Sequence, residues 1–571
     1  MKAPRFTMGL FCHGSHDSAV AIADSGGQVV FASEQERYDR IKHSSAFPFE
    51  TIESAFQELG IGWSDIHAVS FAWDPFADPH RILAFLLNNA LSSARFLFTP
   101  KQRTQSRVKK WREIRGVKDK LQRLGWKGRV RHYNHHLCHA ASAFFSSGFE
   151  AAACLTVDGN GEIVSTTIHD AEGGKFHPYF RKDYPNSLGH YYSALTQYLG
   201  FQPMNDEYKV MGLAAFGKKE TEIFRKVEEL LAVGEGDPYA LKLDYFQFHK
   251  GFDQMWTSRV EELLGPARRP GGPIQEQHGH IALAVQWRLE EALLALSRKA
   301  KELGRGKLCL SGGVALNCVA NERLLREGGW EDIFVPPCPH DSGTALGAAY
   351  LSLAEENLRI VPPRLRSASL GASLKTEKFS AEKSWKLSPL EGKEMLEAVC
   401  RLLGGGKIVA WADGRSEFGP RALGNRSLLA DPRKAENKER LNVIIKKREP
   451  FRPFAPIVLN GEADRIFDMH GKDSPFMLRT VPVRPGWREK IPAAIHVDGS
   501  ARVQTLERDC NPRLYDLLKT FEAHTGVPVL LNTSLNTAGE PIVNSVEEVG
   551  ALFRRTEVEV LVLNGRIYEK A

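Results

Sequence analysis

HHLCHAASAFFSSGFEAAACLTVDGNGE, residues 135–162, is the stretch from which the rest of the chain is read. His135 and His139 are four apart and the run 140–145 behind them has helical composition. Residues i and i+4 share one face of a helix, so both imidazoles can reach one cation. An apolar strand over 152–157 follows and ends on Asp158-Gly159-Asn160-Gly161. A carboxylate at a strand end followed by glycines suits a backbone that must come close to a phosphate. Two imidazoles and a carboxylate suit Fe, Zn, Mn or Ni and leave coordination positions for substrate oxygens. The plain alternative is two surface histidines before an ordinary Asp-Gly turn. The histidine pair, the strand-end acid and the glycines within one short segment favour the metal.

The pattern has an earlier copy. An apolar strand at 7–11 leads into Cys12-His13-Gly14-Ser15-His16-Asp17, a strand at 18–23, the turn Ser25-Gly26-Gly27 and a strand at 29–32. Gly-Gly is a favoured hairpin turn. Over 155–180 the order strand, acidic glycine turn, strand, Gly173-Gly174, strand recurs, and Gly14–Gly26 and Gly161–Gly173 are both twelve apart. This predicts an internal duplication: two halves, each offering a β-hairpin phosphate loop to a shared cleft, on the plan of the actin-like and sugar-kinase ATPases. A helical insertion over about 79–126 separates strands of the first half, and a long amphipathic helix is expected at 280–300. Lys42 and His43 lie where the first half returns toward the cleft, with a surface role and a ligand role equally open.

Two strand-to-helix junctions follow. A strand at 307–310 enters Ser311-Gly312-Gly313, with Asn317 in the same turn, an arrangement that suits an anion or a nucleotide. A strand at 333–335 leads to His340-Asp341-Ser342-Gly343 and a helix over 344–355, so Asp341 would add a second carboxylate to His135, His139 and Asp158.

With 571 residues the chain is too long for one core. Its hydrophobic content of 42% and charged content of 25% are those of a soluble globular protein. No segment has the uninterrupted apolar length of a membrane span, and the N-terminus lacks the features of a signal peptide. The eight cysteines show no paired C-x-x-C spacing, which predicts reduced thiols in a cytoplasm. The net charge is +7, and residues 101–131 hold 13 Lys/Arg against Glu113 and Asp119, an excess of 11 that leaves −4 for the remainder. A solvated helical face is favoured for this run over a nucleic-acid surface, since aromatics are few and no nucleic-acid motif is recognised.

Residues 355–393 break the pattern with Pro362-Pro363 and scattered polar residues, which places a linker there and ends the first domain (1–361) near Val361. The second domain (362–571) carries Arg415, Arg421, Arg426 and Arg433, then Lys446, Lys447, Arg448, Arg452 and Arg502. Clustered forked guanidiniums suit a small polyanion, and Phe418, Phe451, Pro453 and Phe454 beside them are not the residues of an ordinary exposed loop. An apolar strand at 529–531 enters Asn532-Thr533-Ser534-Leu535-Asn536, whose amides and hydroxyls can bind a small planar polar group through its N–H and C=O. The closing 545–568 reads as a helix and a strand.

HHLCHAASAF, DGNGE, NDEYKVMGLAAFG, SGGVALNCVAN and HDSGTALGAAY, followed by SEFGPRALGNRSLLADPR, KKREPFRPFAP and LNTSLNTAGEPIV, resemble in order and over nearly the whole chain the O-carbamoyltransferases of nodulation-factor and antibiotic tailoring. The resemblance implies an α/β protein. An actin-like (duplicated ribonuclease H-like) domain similar to the metal-dependent tRNA threonylcarbamoyl transferase would precede a smaller α/β domain similar to the enzyme that makes threonylcarbamoyl adenylate. It implies that His135, His139, Asp158 and Asp341 bind a divalent metal, iron first and Mn2+ or Zn2+ as alternatives. Ser311, Gly312, Gly313 and Asn317 would hold ATP, with Lys42 at its phosphate end, and His16 would be the catalytic base beside the acceptor hydroxyl. Lys446, Arg452, Arg502, Ser534 and Asn536, with Arg421, would bind carbamoyl phosphate. The expected partner is a small-molecule hydroxyl acceptor, with an anionic or nucleotide acceptor and a homodimer left open. The rivals are a tRNA threonylcarbamoylation fusion, which would use threonine and bicarbonate, and a nucleotide-binding regulatory protein without activity. A hydrogenase-maturation carbamoyltransferase would carry zinc fingers of paired cysteines, which this chain lacks.

Overall fold

The computed structural model describes residues 6–88, 107–219, 221–234, 236–250, 253–356, 360, 362–446, 452 and 454–570. The chain forms two compact units. One comprises Met1–Gln35 and His43–Leu365, the other Glu36–Lys42 and Arg366–Ala571. Val361, where the first domain was expected to end, lies outside the described residues, as do 89–106 of the expected helical insertion and Lys447, Arg448, Phe451 and Pro453 of the expected anion site.

The first unit contains β1 (Phe6–Phe11), β2 (Ala19–Asp24), β3 (Val29–Glu34), β4 (Ile66–Phe71), β5 (Val130–His132), β6 (Ala151–Gly161), β7 (Val164–Glu172), β8 (Lys175–Asp183), a short ribbon of β9 (Leu231–Ala232) and β10 (Ala240–Leu241), β11 (Lys307–Ser311) and β12 (Asp332–Phe334). Two sheets have the same plan. The first runs β3-β2-β1-β4-β5 and the second β8-β7-β6-β11-β12. In each, the first three strands are antiparallel and the last two lie parallel to the central one. The duplication read from the glycine spacing is therefore a duplication of topology, and the α/β, actin-like class follows from the strand order. The twelve-residue repeat marks the β2–β3 and β7–β8 turns, where Gly27, Gly173 and Gly174 take positive φ.

Two details differ from expectation. β6 does not stop at Val157; it continues to Gly161, with its register shifted between Val157 and Gly161, so Asp158 sits in a bulged stretch of strand. Such a bulge re-aims a side chain, and the turn proper comes at Glu162, whose φ is +45°. Residues 36–42, expected in the first domain, pack with the second unit. Buried Arg37 donates to Gly419 O at 2.6 Å, Arg40 donates to Ile542 O and Pro541 O at 2.7 and 2.8 Å, and Arg40 pairs with Glu548 at 3.2 Å. These bonds draw Lys42 into the second unit as well.

The second unit is built on an eight-stranded sheet whose order is β13 (Trp385–Leu387), β22 (Arg566–Lys570), β21 (Val560–Leu563), β14 (Val409–Ala412), β15 (Arg426–Ala430), β20 (Val529–Ser534), β16 (Ala455–Leu459) and β19 (Gln504–Leu506). A ribbon of β17 (Thr480–Pro482) and β18 (Ser500–Arg502) flanks it. Alternate residues of one strand enter two cores: Val409 and Trp411 pack on one face, Ala410 and Ala412 on the other. Burial on both faces explains the uninterrupted apolar runs of these strands.

Back in the first unit, the helix Thr344–Glu356 lies against β1 and the helix His135–Ser147 through two glycines. A Cβ on Gly9 would stand 1.8 Å from Ala345 O, and one on Gly347 would stand 1.8 Å from Cys138 O. This close packing carries Asp341, one turn before that helix, toward the histidine helix. We expect Gly9→Ala to destabilise the protein by about 1–3 kcal/mol through overpacking against backbone that has nowhere to move, measured as a lower denaturant midpoint.

Candidate metal centre and anion site

The helix His135–Ser147 starts at its first histidine. Asn134 caps it by accepting from Leu137 N at 3.1 Å. Glu162, from the β6–β7 turn, accepts from His135 N at 3.1 Å, Asp74 N at 3.0 Å and Asn134 Nδ2 at 3.2 Å. A carboxylate on the free N–H groups of a helix start pins that end in place. Burial pushes the Glu162 carboxyl up to about 7, against the pull of His135 and the backbone donors. Both metal-candidate histidines are fully buried, which excludes a surface pair. His136 between them turns away and bonds Thr156 Oγ1 and Val164 O.

The tautomers follow from the partners. His135 Nδ1 faces Ala72 O at 3.3 Å, and a carbonyl only accepts, so that nitrogen carries the hydrogen. Ser311 Oγ donates to Pro339 O at 3.2 Å and so accepts from His139 Nδ1 at 3.3 Å. Both Nε2 atoms therefore point the same way, 3.1 Å apart. Asp341 Oδ1 lies 3.4 and 3.6 Å from them, and Asp158 Oδ2 lies 3.8 Å from that of His135. Ligand atoms of all four residues fall within 4.8 Å of one another, and all four side chains are buried. Burial alone would lower the pKa of His135, but the Asp341 and Asp158 carboxylates outweigh it and push it up to about 10. Two buried carboxylates call for positive charge, which a divalent cation would supply. The donor set, with each Nδ1 held from behind, fits Fe, Mn or Zn.

The glycine turn after β11 serves the same cluster. Gly313 N donates to Asp158 Oδ1 at 2.8 Å, and Gly312 N donates to Pro339 O at 2.8 Å. Gly312 has φ +95°, and a Cβ there would stand 2.2 Å from Val157 O. These donors, expected to cradle a nucleotide, are engaged inside the protein. Asn317 caps the helix Cys318–Glu327 through Ala320 N at 3.1 Å, and its amide is doubly bonded to Gln286.

His16 stands beside the cluster. Its Nδ1 is 3.3 Å from Asp17 Oδ2 and 3.7 Å from Asp341 Oδ2. Two neighbours escaped sequence reasoning. Asp17, at φ +57°, also meets His43 Nδ1 at 2.7 Å and His340 Nδ1 at 3.6 Å. His13 Nε2 lies 3.9 Å from Asp341 Oδ2. The motif C-H-G-S-H-D held both, but only the fold separates them from their neighbours. Of the basic run, Lys110 stands 4.0 Å over the Trp73 ring, while Lys120 and Arg131 pair with Glu113 and Glu356.

In the second unit, Lys446 follows a π-helical turn, Arg440–Ile445, a feature frequent at functional sites. Its ammonium bonds Asn536 Oδ1 at 2.7 Å, Asn536 O at 3.0 Å, Ser534 Oγ at 3.1 Å and also Ser534 O. Three of the expected carbamoyl phosphate residues are thus in contact. Arg452 O accepts from Asn442 Nδ2 at 2.9 Å, and Arg502 ends β18. Arg421 lies, half-buried, in the loop between β14 and β15. The other arginines of the expected polyanion cluster hold the fold instead. Arg415 donates to Gly371 O and Leu370 O, the fully buried Arg426 donates to Asp413 O and Asn425 O, and Arg433 pairs with Asp431. A guanidinium fork fits carbonyls as well as it fits phosphate, and spacing alone does not separate the two uses.

Because Ser311 Oγ holds the Nδ1 of His139, we expect Ser311→Ala to weaken divalent-metal affinity by about 10- to 100-fold with the fold intact, read by chelator competition and circular dichroism.

Comparison with known proteins gives the family. Residues 8–350 match the family described as Carbamoyltransferase N-terminus, and residues 400–570 match Carbamoyltransferase C-terminus. Nodulation protein NolNO of Sinorhizobium fredii is 36% identical over 97% of this chain and 79% of its own length. Nodulation protein NolO of Bradyrhizobium diazoefficiens is 38% identical over 76% of this chain and 79% of its own. Among solved structures, the activator of the 2-hydroxyisocaproyl-CoA dehydratase from Clostridium difficile aligns at 14% identity and a TM-score of 0.33, over 61% of this chain and 95% of that one; the fold assignment rests on strand order and not on that likeness. With both halves of the chain matched, the protein belongs to the carbamoyltransferase family.

Proposed function

We propose that this carbamoyltransferase is ATP-dependent and works through carbamoyl adenylate. In the second unit water cleaves carbamoyl phosphate to carbamate and inorganic phosphate, and an oxygen of the carbamate attacks the α-phosphorus of ATP, releasing pyrophosphate. In the first unit the hydroxyl oxygen of a small-molecule acceptor attacks the carbamoyl carbon. AMP leaves, and the product is a carbamate ester. The observation that carries the reading is the gathering of His135, His139, Asp158 and Asp341 within 4.8 Å, with His16 beside Asp341.

Each residue has a role on this reading. Lys446, Ser534 and Asn536, with Arg421, Arg452 and Arg502, bind carbamoyl phosphate. The Lys446 ammonium attracts the phosphate, and the Asn536 amide and Ser534 hydroxyl fit the planar carbamoyl end. His16 accepts the proton of the acceptor hydroxyl. Its Nδ1–H is directed at Asp17, which leaves Nε2 free to take a proton. A divalent ion, iron first and manganese or zinc as alternatives, would be held by His135, His139, Asp158 and Asp341 and would supply Lewis-acid stabilisation of phosphate charge. Ser311, Gly312, Gly313 and Asn317 contribute to the nucleotide site by shaping the turn around that cluster. The half-buried Lys110, over the buried Trp73 ring, keeps an anionic acceptor within the reading.

Incubation with ATP, carbamoyl phosphate and a panel of hydroxylated acceptors should yield AMP, pyrophosphate and a carbamate ester. Absence of AMP with every acceptor would count against the mechanism, and AMP formed from threonine and bicarbonate would move the reading to threonylcarbamoylation. His16→Asn should lower transfer by about 10²- to 10⁴-fold while pyrophosphate exchange driven by carbamoyl phosphate persists. Lys446→Met should raise the carbamoyl phosphate Kd by about 10- to 100-fold in a calorimetric titration, as the loss of a charged hydrogen bond would.

A further inference from the structure

Among the buried groups of the second unit that the mechanism does not use is the ring of His496. His496 opens a tight turn in which its own N donates to Ser500 O at 2.8 Å and Gly499 N donates back to His496 O at 3.0 Å. Gly499, at φ +81°, makes the turn feasible. The hydrogens of this turn can be assigned from its acceptors. Asp498 Oδ1 is acceptor-only and takes the Ser500 hydroxyl at 2.6 Å. Ser500 Oγ must therefore accept from His496 Nδ1–H, at 3.1 Å. Nε2 is left with a lone pair, shut off from solvent and without a hydrogen-bond partner among the described residues.

The cations around this nitrogen oppose its protonation. Asp498 lies on the Nδ1 side, bonded through Ser500. Arg502 follows Ser500 by two positions in β18, which puts both side chains on one face of the strand. Lys438 donates its Nζ to Ile495 O at 3.2 Å, next to His496 in the chain. Burial first, then the Arg502 and Lys438 cations, hold the imidazole down to about 4 against the pull of Asp498. The ring is neutral near neutral pH, beside two cations that do not bond it. A buried acceptor without a donor is unfavourable, and a ligand that supplies a partner relieves it.

We propose that His496 is a proton-coupled ligand of the oxyanion bound in the second unit: an anion seated at Arg502 and Lys438 draws a proton onto Nε2, which then donates a hydrogen bond to an anion oxygen. This rests on the assignment of Arg502 to carbamoyl phosphate in the proposed function. The ligand class is a tetrahedral oxyanion, and its physiological source is the phosphoryl group of carbamoyl phosphate. The proton comes from solvent. Its binding turns an unpaired acceptor into a charge-assisted donor, so the site favours the dianion more strongly as pH falls.

The test is calorimetric titration of the full chain with sulfate, and separately with carbamoyl phosphate, at pH ~6 in buffers of different ionisation enthalpy. Sulfate exchanges no proton in this range, so any uptake belongs to the protein. The wild type should take up a substantial fraction of one proton per sulfate. His496→Asn keeps a donor for Ser500 and removes Nε2; it should abolish the uptake and weaken both ligands by about 10- to 100-fold. Equal proton uptake in wild type and variant would overturn the proposal, as would binding without uptake, which would mean that water alone satisfies Nε2. Arg502→Ala separates the two readings. If it weakens carbamoyl phosphate while the proton count does not depend on His496, only this inference fails. If neither ligand binds the wild type, the anion site itself fails. Should His496→Asn not fold, the wild type still decides: sulfate affinity should fall as pH rises from about 5 to about 8, and a flat profile overturns the proposal.

Discussion

Two carboxylates, Asp158 and Asp341, are buried beside two imidazoles in the first unit, and much of that unit is arranged to keep them there. Buried charge of one sign is tolerated only when paired and hydrogen-bonded. Each oxygen accordingly has an assignment: Asp158 Oδ1 is held by Gly313 N, while Oδ2 turns toward His135. Asp341 divides its oxygens between the His135/His139 pair and the His13/His16 pair. Glycines at 9, 161, 312 and 347 exist where a Cβ would strike the elements that carry these groups; at Gly161 it would come within 2.3 Å of the His135 ring. The close packing and the charge cluster are one design, because helices that could not approach so nearly would not bring the four side chains to one point.

The duplicated topology explains why the residues come from distant parts of the chain. β1 and β6 occupy equivalent central positions in their sheets, and His16, just after β1, and Asp158, in the bulged stretch of β6, face the same cluster. His135, His139 and Asp341 are added by the helices beside those strands. The second unit concentrates its chemistry differently. A π-helical turn delivers Lys446 to the end of β20, where Ser534 and Asn536 receive it, and a turn before β18 presents His496 near Arg502.

Much of this was legible in the sequence where the signal was periodic or local. Histidines at i and i+4, glycine pairs twelve residues after glycines, and strand-to-helix junctions at Ser311 and Asp341 are short-range patterns with direct structural meaning. The illegible part depends on long-range contacts. Nothing in the spacing tells that Arg426 serves backbone carbonyls of its own fold while Lys446 serves Ser534 and Asn536. Nor does it tell that residues 36–42 join the second unit through Arg37 and Arg40, or that Glu162 caps the helix carrying His135. The glycine turn at 311–313 was read as a ligand cradle because glycine and N–H groups suit one. The same N–H groups serve equally to hold a carboxylate in place, and at Gly313 that is their use.

The central claim is that four side chains from three elements surround one cation. X-ray absorption at the edge of the metal bound by the full chain tests it most directly. The account predicts a single site with two imidazole nitrogens and otherwise oxygen ligands, lost in Asp341→Asn. A spectrum with a sulfur neighbour or without paired imidazoles, or one unchanged in that variant, would contradict it.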